Sequence, residues 1–517
     1  MRRILRWVLL ALTATMIIAT VSLSWPPPAP PLLGRDGVFA IEHVNVVDVV
    51  AGELLPDVTV VIEAGRVRSM LPSAAATVPP EAARIDGRGK YLLPGLWDMH
   101  THSIKLSPQL HHALYVAHGV TAVRDMSGCL SRDDSYWACA TDRRQWSGEV
   151  ERGARVAPRY PLQSSYQTNG GNEVPEGFAP FFRLRSREDA QRLGAFARDA
   201  GLDFIKTYNE LTPEQYGWLA ELSASGGPAL AGHLPLRVDL PTALAAGQRS
   251  IEHGRLFLFE CFAGIDAFRA LADPIAHYNA GFRLRLLNEQ NEDACQRQMR
   301  AMAASTTWWV PTLTTLHMSA VAAQPEARND PRLDFVPAVQ RHLLWFPDAN
   351  RAAREPAAPD GGNVHRRLFE LASLQVARAH AAGVKLLAGT DTTDTFVYPG
   401  ASLHDELRML VEAGLSPADA LRTATVSAAT FAGQLRDHGS IAPGKVADLL
   451  LLAGNPLADI RNTLGIEAVF LAGRRYDAAA LGQLLQFARD QAGSWRVNLR
   501  LVWDMLASPL MRVQLAD

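Results

Sequence analysis

Two histidines stand two residues apart in the stretch Pro94-Gly-Leu-Trp-Asp-Met-His-Thr-His102, directly after the apolar run Tyr91-Leu92-Leu93. In an extended strand, residues i and i+2 point to one side. His100 and His102 can therefore converge on one metal ion, for which neutral imidazole is the commonest protein ligand. Two nitrogens leave most of a coordination shell empty. Four further residues, Lys206, His233, His253 and Asp391, each sit at the end of an apolar run. Taken singly, such a histidine is a satisfied structural group, such a lysine is emerging into solvent, and Asp391 caps a following helix. With His100 and His102 they make six, and a metal site accounts for them jointly.

The elements that must position these groups can be read coarsely. Residues 38–72 form short strands: Phe39-Ala-Ile-Glu-His-Val-Asn-Val-Val alternates loosely, and Val58-Thr-Val-Val-Ile-Glu runs into a turn at Ala64-Gly65. A similar signature returns in Ala447-Asp-Leu-Leu-Leu-Leu and Ala468-Val-Phe-Leu-Ala-Gly. Residues 38–90 and 436–478 are thus expected to build one small β-sandwich domain from both chain ends. Between them, residues 91–435 alternate strand-like runs with helices carrying start signals. Strand candidates are Gly119–Arg124, Leu202–Lys206, Ala229–His233, Arg249–His253 and Val384–Gly389. Thr212-Pro213-Glu214-Gln215 is a capping box with proline at the first helical position, and Ser416-Pro417-Ala418-Asp419 repeats much of it. The repetition predicts an α/β fold, a (β/α)₈ TIM barrel with inserted helices at 260–305 and 320–370. In a barrel, catalytic groups stand at the C-terminal strand ends, where the six candidates lie. Residues 479–517 read as an amphipathic helical extension that docks on the body or on a membrane surface.

The chain resembles the amidohydrolase superfamily of metal-dependent hydrolases from about residue 38 to 478, most closely its imidazolonepropionase-like and Xaa-Pro dipeptidase-like branch. The motifs that carry the resemblance are Pro94–His102, Gly119–Met126, Asp203–Lys206, Ala231-Gly-His233, Ser250–Gly254, Val310-Pro-Thr-Leu313, Leu387–Asp391 and Ser440–Leu449. It implies that His100, His102 and Asp391 hold one metal, that His233 and His253 hold a second, and that Lys206 bridges both. An ammonium has no lone pair, so Lys206 would act as a carbamate formed with CO₂. Nitrogen and oxygen ligands without thiolate favour Zn²⁺, two per chain, with Mn²⁺ or Co²⁺ as alternatives. The implied reaction is hydrolysis of an amide or small-peptide C–N bond by a metal-activated hydroxide, with Asp391 as general acid and base. Tyr208, His404 and Arg124 are candidate substrate contacts. Trp308-Trp309 reads as core. After His233 the chain continues Leu234-Pro235-Leu236, where the dipeptidase-like branch often places a second histidine and glycine, so dipeptide specificity does not follow.

Composition narrows the partners. The 517 residues are 48% hydrophobic and 20% charged, with net charge −2; nothing basic points to nucleic acid, and a small molecule is the expected partner. Arg2, Arg3 and Arg6 precede an uncharged stretch from Trp7 to Trp25 and a proline-rich linker, residues 26–37. Residues 1–25 thus read as a signal peptide or inner-membrane anchor that places the body in the periplasm or outside the cell. Cys129–Cys139 and Cys261–Cys295 are the simplest disulfide pairs for that compartment. No Gly-x-Ser-x-Gly elbow, His-Glu-x-x-His helix or phosphate loop supports other hydrolase or nucleotide chemistry. Two readings stay open beside the amidohydrolase one: a lactone, carbamate or ester hydrolase on the same metals, and a non-catalytic barrel scaffold. Oligomeric state leaves no signal in the sequence.

Overall fold

A computed structural model describes residues 23–132, 134–355 and 361–516; the leader expected over residues 1–25 lies largely outside them. Among the described residues, no helix is long and apolar enough to cross a membrane.

The first strands are β1 (Phe39–Asp48), β2 (Glu53–Glu63), β3 (Arg66–Pro72), β4 (Ala83–Asp86) and β5 (Tyr91–Pro94). The central strands follow as β6 (Leu96–Thr101), β7 (Val120–Asp125), β8 (Phe204–Thr207), β9 (Ala229–Gly232), β10 (Ser250–Glu252), β11 (Trp308–Val310) and β12 (Lys385–Leu386). The last are β13 (Leu449–Leu452), β14 (Ile466–Leu471) and β15 (Arg474–Asp477). Both chain ends share one mixed sheet, ordered β15-β14-β13-β5-β1-β2-β3 with β4 beside β1. It is hydrogen-bonded as one continuous sheet, and it folds over its own core. Phe39 on β1 meets Phe470 on β14 with ring centroids 5.7 Å apart, although two strands separate them in the hydrogen-bonding order.

The central strands are short and parallel, and β6 is buried along its whole length, as expected for sheets covered on both faces. β6 pairs β7, and β8 to β12 pair in succession. Isolated parallel bridges join the two groups. Ala122–Arg159 and Asp125–Gln163 lead from β7 to residues 159–168, Ser164–Phe204 and Thr168–Thr207 lead on to β8, and Thr101–Thr392 returns to β6. Helices fill the connections. The capping box forms at Pro213–Ala224, where the Gln215 N–H donates to Thr212 Oγ1 and the Thr212 N–H to Gln215 Oε1. The helix Pro417–Thr423 is capped by Ser416. The chain closes with helices Ala478–Gly493, Trp495–Ala507 and Pro509–Ala516.

Both local cysteine pairs are disulfides, Cys129–Cys139 and Cys261–Cys295. The second spans 34 residues, and loop-closure entropy puts its contribution at about 3–4 kcal/mol. Replacing Cys261 and Cys295 together by serine should lower unfolding free energy by that amount in a denaturant titration; an unchanged midpoint would mean that packing alone holds the loop.

Glu406, on the buried face of helix Ala401–Ala413, accepts backbone N–H bonds from Leu313 and Thr314, both 3.0 Å. Burial pushes its carboxyl up to about 8. An acid whose folded pKa exceeds its unfolded one keeps its proton longer in the native state. Its stabilisation is therefore complete below the unfolded value, about 4.3, and is lost as pH rises through the folded one. Thermal melts from about pH 5 upward should show a decline with pH that Glu406→Gln flattens. Equal slopes in both proteins would contradict this.

Candidate functional site

β6 carries His100 at its end and His102 just beyond, and the chain after β12 runs against it to deliver Asp391. Gly389 permits that approach, since a Cβ there would lie 2.8 Å from the His100 nitrogen and 2.6 Å from Val310 Cγ1. The Asp391 N–H then donates to the His100 carbonyl at 2.8 Å. β8, β9 and β10 bring Lys206, His233 and His253 to the same end. His253, Thr312 and Asp391 have φ of +75°, +40° and +65°, a region non-glycine residues seldom enter. Such backbone strain collects at functional sites, where surrounding structure must hold it.

Five of the six meet, and Lys206 lines the same cavity. His100 Nε2 and His102 Nε2 lie 3.3 and 2.9 Å from Asp391 Oδ1, and His253 Nδ1 lies 3.6 Å from Asp391 Oδ2. His233 Nε2 and His253 Nε2 face each other at 2.9 Å. His100, His253 and Asp391 each offer a ligand atom within 4.8 Å of the others. Four donors around Zn²⁺ at about 2.1 Å stand about 3.4 Å apart, so this spacing suits an ion.

The hydrogen bonds behind the rings set their tautomers. His100 Nδ1 is 2.8 Å from Glu252 Oε2, and His233 Nδ1 is 2.7 Å from Asn209 Oδ1. Both partner oxygens accept, so Nδ1 carries the proton and Nε2 presents its lone pair inward. His253 Nδ1 meets Thr312 Oγ1 at 2.9 Å. The inward Nε2 of His100 is buried and has no hydrogen-bond partner. A bare buried acceptor is costly, and a bound cation would satisfy it. The residues fit a metal.

Electrostatics agree. Burial holds His233 well below the ordinary histidine value, brings His253 down to about 3 and lowers His102. Burial thus disfavours the charged imidazolium at these positions and favours the neutral, ligating form. Burial alone would raise Asp391, but His100 beside it and the hydrogen bond with His102 hold its carboxyl well below the usual range. Burial also lowers Lys206, which is 2% exposed. The cluster opens on a cavity of about 730 Å³ lined by His102, Lys206, Tyr208, His233, His253 and Asp391, and also by Trp137, Arg255, Trp345 and Gln514.

The remaining candidates divide. Tyr208 lies in this cavity, its ring 4.2 Å from that of His233 and 5.8 Å from Lys206 Nζ. His404 does not reach it. The ring is buried with Nδ1 at 2.9 Å from Thr463 Oγ1 and Nε2 at 2.9 Å from the His118 carbonyl, because helix Ala401–Ala413 turns that face toward the body. Arg124 also lies away from the cavity. Fully buried, it donates to the Met99 carbonyl at 2.6 Å, to Ser250 Oγ at 2.7 Å and to both oxygens of Glu252 at 2.9 and 2.8 Å. Its part is to hold Glu252, which holds His100. Trp309 is core, donating from Nε1 to the His253 carbonyl at 2.9 Å.

Glu252, Asn209 and Asp98 are site residues the sequence reading did not assign. Asp98 accepts from the Thr390 N–H at 3.0 Å and from Thr390 Oγ1 at 2.6 Å, tying the His100 strand to the Asp391 segment. Ser250 and Glu252 fall on one side of a short strand that is buried throughout, where polar groups call for a buried partner.

Parallel strands that gather imidazoles and a carboxylate at one end, beside a domain built from the chain ends, define a TIM-barrel-like α/β protein with an extra domain. Residues 243–476, carrying His253 and Asp391, match the model of the amidohydrolase family. An adenine deaminase of Ruegeria sp. is 35% identical over 107 residues, 19% of this chain and 18% of that protein. An imidazolonepropionase of Pseudomonas putida is 30% identical over 158 residues, 30% of this chain and 36% of that one. The chain thus spans well under half the length of these curated relatives. Among solved structures, a bottromycin amidohydrolase shares the fold at TM-score 0.65 and 23% identity, covering 89% of this chain and 92% of that one. A Xaa-Pro dipeptidase with bound methionine in its active site does so at 0.59 and 19%, covering 86% and 100%. Residues 243–476 thus resemble the amidohydrolase family, and the fold as a whole is shared with these solved structures.

Proposed function

We propose that the chain hydrolyses a C–N bond, an amide or the peptide bond of a small substrate, at a metal centre set in the mouth of a closed (β/α)₈ barrel spanning residues 91–435. The small domain of 38–90 with 436–478 and the helical extension of 479–517 complete this division. The observation that carries the reading is the convergence of His100, His102, His233, His253 and Asp391 beneath one cavity, with His100 Nε2 left bare.

His100, His102 and Asp391 would hold one ion and His233 and His253 the other. Lys206 would join them as a carbamate: burial lowers its pKa, so that the ammonium gives up a proton to water, the amine adds to CO₂ and a second proton leaves, which would turn a cation into an anionic oxygen ligand. Bound Zn²⁺, with Mn²⁺ or Co²⁺ as substitutes, supplies Lewis acidity toward the scissile carbonyl and acidifies water near neutral pH. Asp391 takes the proton of the attacking water and returns it to the leaving nitrogen, so that the amine departs neutral. Tyr208, pushed up to about 12 by burial, stays protonated and donates to the carbonyl oxygen as charge grows there. The arginines before the uncharged N-terminal stretch and the two disulfides support export to an oxidising compartment.

The test is metal counting on protein purified with zinc and bicarbonate, followed by a screen of N-acyl amino acids, Xaa-Pro dipeptides and lactones. Close to two ions per chain with amide turnover is expected. Fewer than about 0.2 ions per chain would overturn the mechanism, and turnover confined to lactones would replace the amide reading.

A further inference from the structure

The helix Trp495–Ala507 is apolar on two opposite sides. Its inward side, Val497, Leu501 and Met505, is at most 3% exposed and packs with Ile104, Leu106, Leu110 and Tyr136. At 3.6 residues per turn, Trp495, Leu499, Val502, Trp503 and Leu506 fall on one outward stripe. Trp495, Trp503 and Leu506 are 58%, 54% and 59% exposed. A helix face turned to water is ordinarily polar, and this one has no polar side chain in its stripe.

What covers the stripe follows from its neighbour. Arg500 Nη1 donates to the Leu23 carbonyl at 2.8 Å and Arg496 Nη2 to the Trp25 carbonyl at 3.3 Å. These two arginines therefore hold the end of the uncharged stretch from Trp7 to Trp25 against this helix, and Trp25 is itself 67% exposed. That stretch approaches the roughly 20 residues needed to span a bilayer. Tryptophans with flanking arginines are the composition of the membrane–water interface, where amphipathic helices lie in the plane. We propose that the outward face of Trp495–Ala507, together with Trp25, rests in the interfacial layer of a lipid bilayer. The helix that follows, Pro509–Ala516, reaches from this face to the catalytic cavity, where Met511, Gln514 and Leu515 line the wall. The surface thus sets the cavity mouth beside the lipid.

All four native cysteines are paired, so Leu506→Cys in the full chain offers a single thiol for an environment-sensitive fluorophore. The chain is reconstituted in vesicles of phosphatidylcholine and phosphatidylglycerol, with Ala51→Cys on an exposed turn as the reference position. The expected result is a blue-shifted Leu506→Cys label that loses most of its emission to brominated acyl chains and is shielded from aqueous iodide. The Ala51→Cys label should respond to iodide alone. A Leu506→Cys label open to iodide would overturn the proposal. So would one shielded from both quenchers, because protein would then cover the face, either a second copy or residues 1–22 of the same chain.

Discussion

Asp391→Asn should lower turnover by about 10²–10⁴-fold while the fold survives. The amide keeps the volume and one carbonyl oxygen of the carboxylate, so contacts with His102 and the backbone bond to the His100 carbonyl can persist. What disappears is the charge that His100, His102 and His253 surround and the basicity that takes a proton from water. Activity and metal content should be read on the same sample. A variant that loads metal like the parent yet loses turnover fits a proton carrier. Unchanged turnover at equal metal content would remove Asp391 from that role, whereas loss of both together would leave it as a ligand only.

Glu252→Gln should cost more stability than any surface change, about 3–5 kcal/mol. Glu252 and Arg124 are both fully buried, and the guanidinium donates to both carboxylate oxygens. Burial opposes the ionised carboxyl, yet Arg124 holds it down to about 2. Removing the anion strands a cation with no route to water. The single carbonyl oxygen of the amide must also be shared between His100 Nδ1 and Arg124 and carries no charge, and weakening of such a support lowers metal binding about 10–100-fold. The pair can be separated from the support by adding Arg124→Met. The double variant should recover part of the stability, because no charge is left buried, while its metal affinity stays below the parent's, because a neutral amide accepts from His100 Nδ1 more weakly than a carboxylate. A double variant as unstable as Glu252→Gln would show that the two charges are not coupled.

The six candidates stood out because metal chemistry restricts residue types and because they fall at the ends of short strand-like runs. The supporting shell was less so. Asn209 and Thr312 act through single hydrogen bonds from loops, and nothing local distinguishes them from other loop polar residues. Residues 159–168 link β7 to β8, but Pro158 and Pro161 interrupt any strand pattern there, since proline gives up a ladder donor. β11 was hidden for the opposite reason: Trp308-Trp309-Val310 is a three-residue apolar run that periodicity cannot assign. His404 misled because its sequence distance from Asp391 suits a site loop, while its direction depends on where the helix after Gly400 begins. The two-ended domain was readable as strands, and its single continuous sheet was not, because strand order is set by long-range pairing that no local pattern records.

That pairing also sets a timetable for synthesis. Leu93 on β5 pairs with Leu450 on β13, so one edge of the N-terminal strands has no partner until the ribosome has made most of the chain. At about 5–20 residues per second, the delay is on the order of tens of seconds. During it an apolar edge of β5 waits beside a growing barrel, the condition under which unpaired strands find wrong partners. The small domain therefore closes last and locks the ends together. Chains ending before residue 449 should accumulate as aggregates, not as a smaller folded protein.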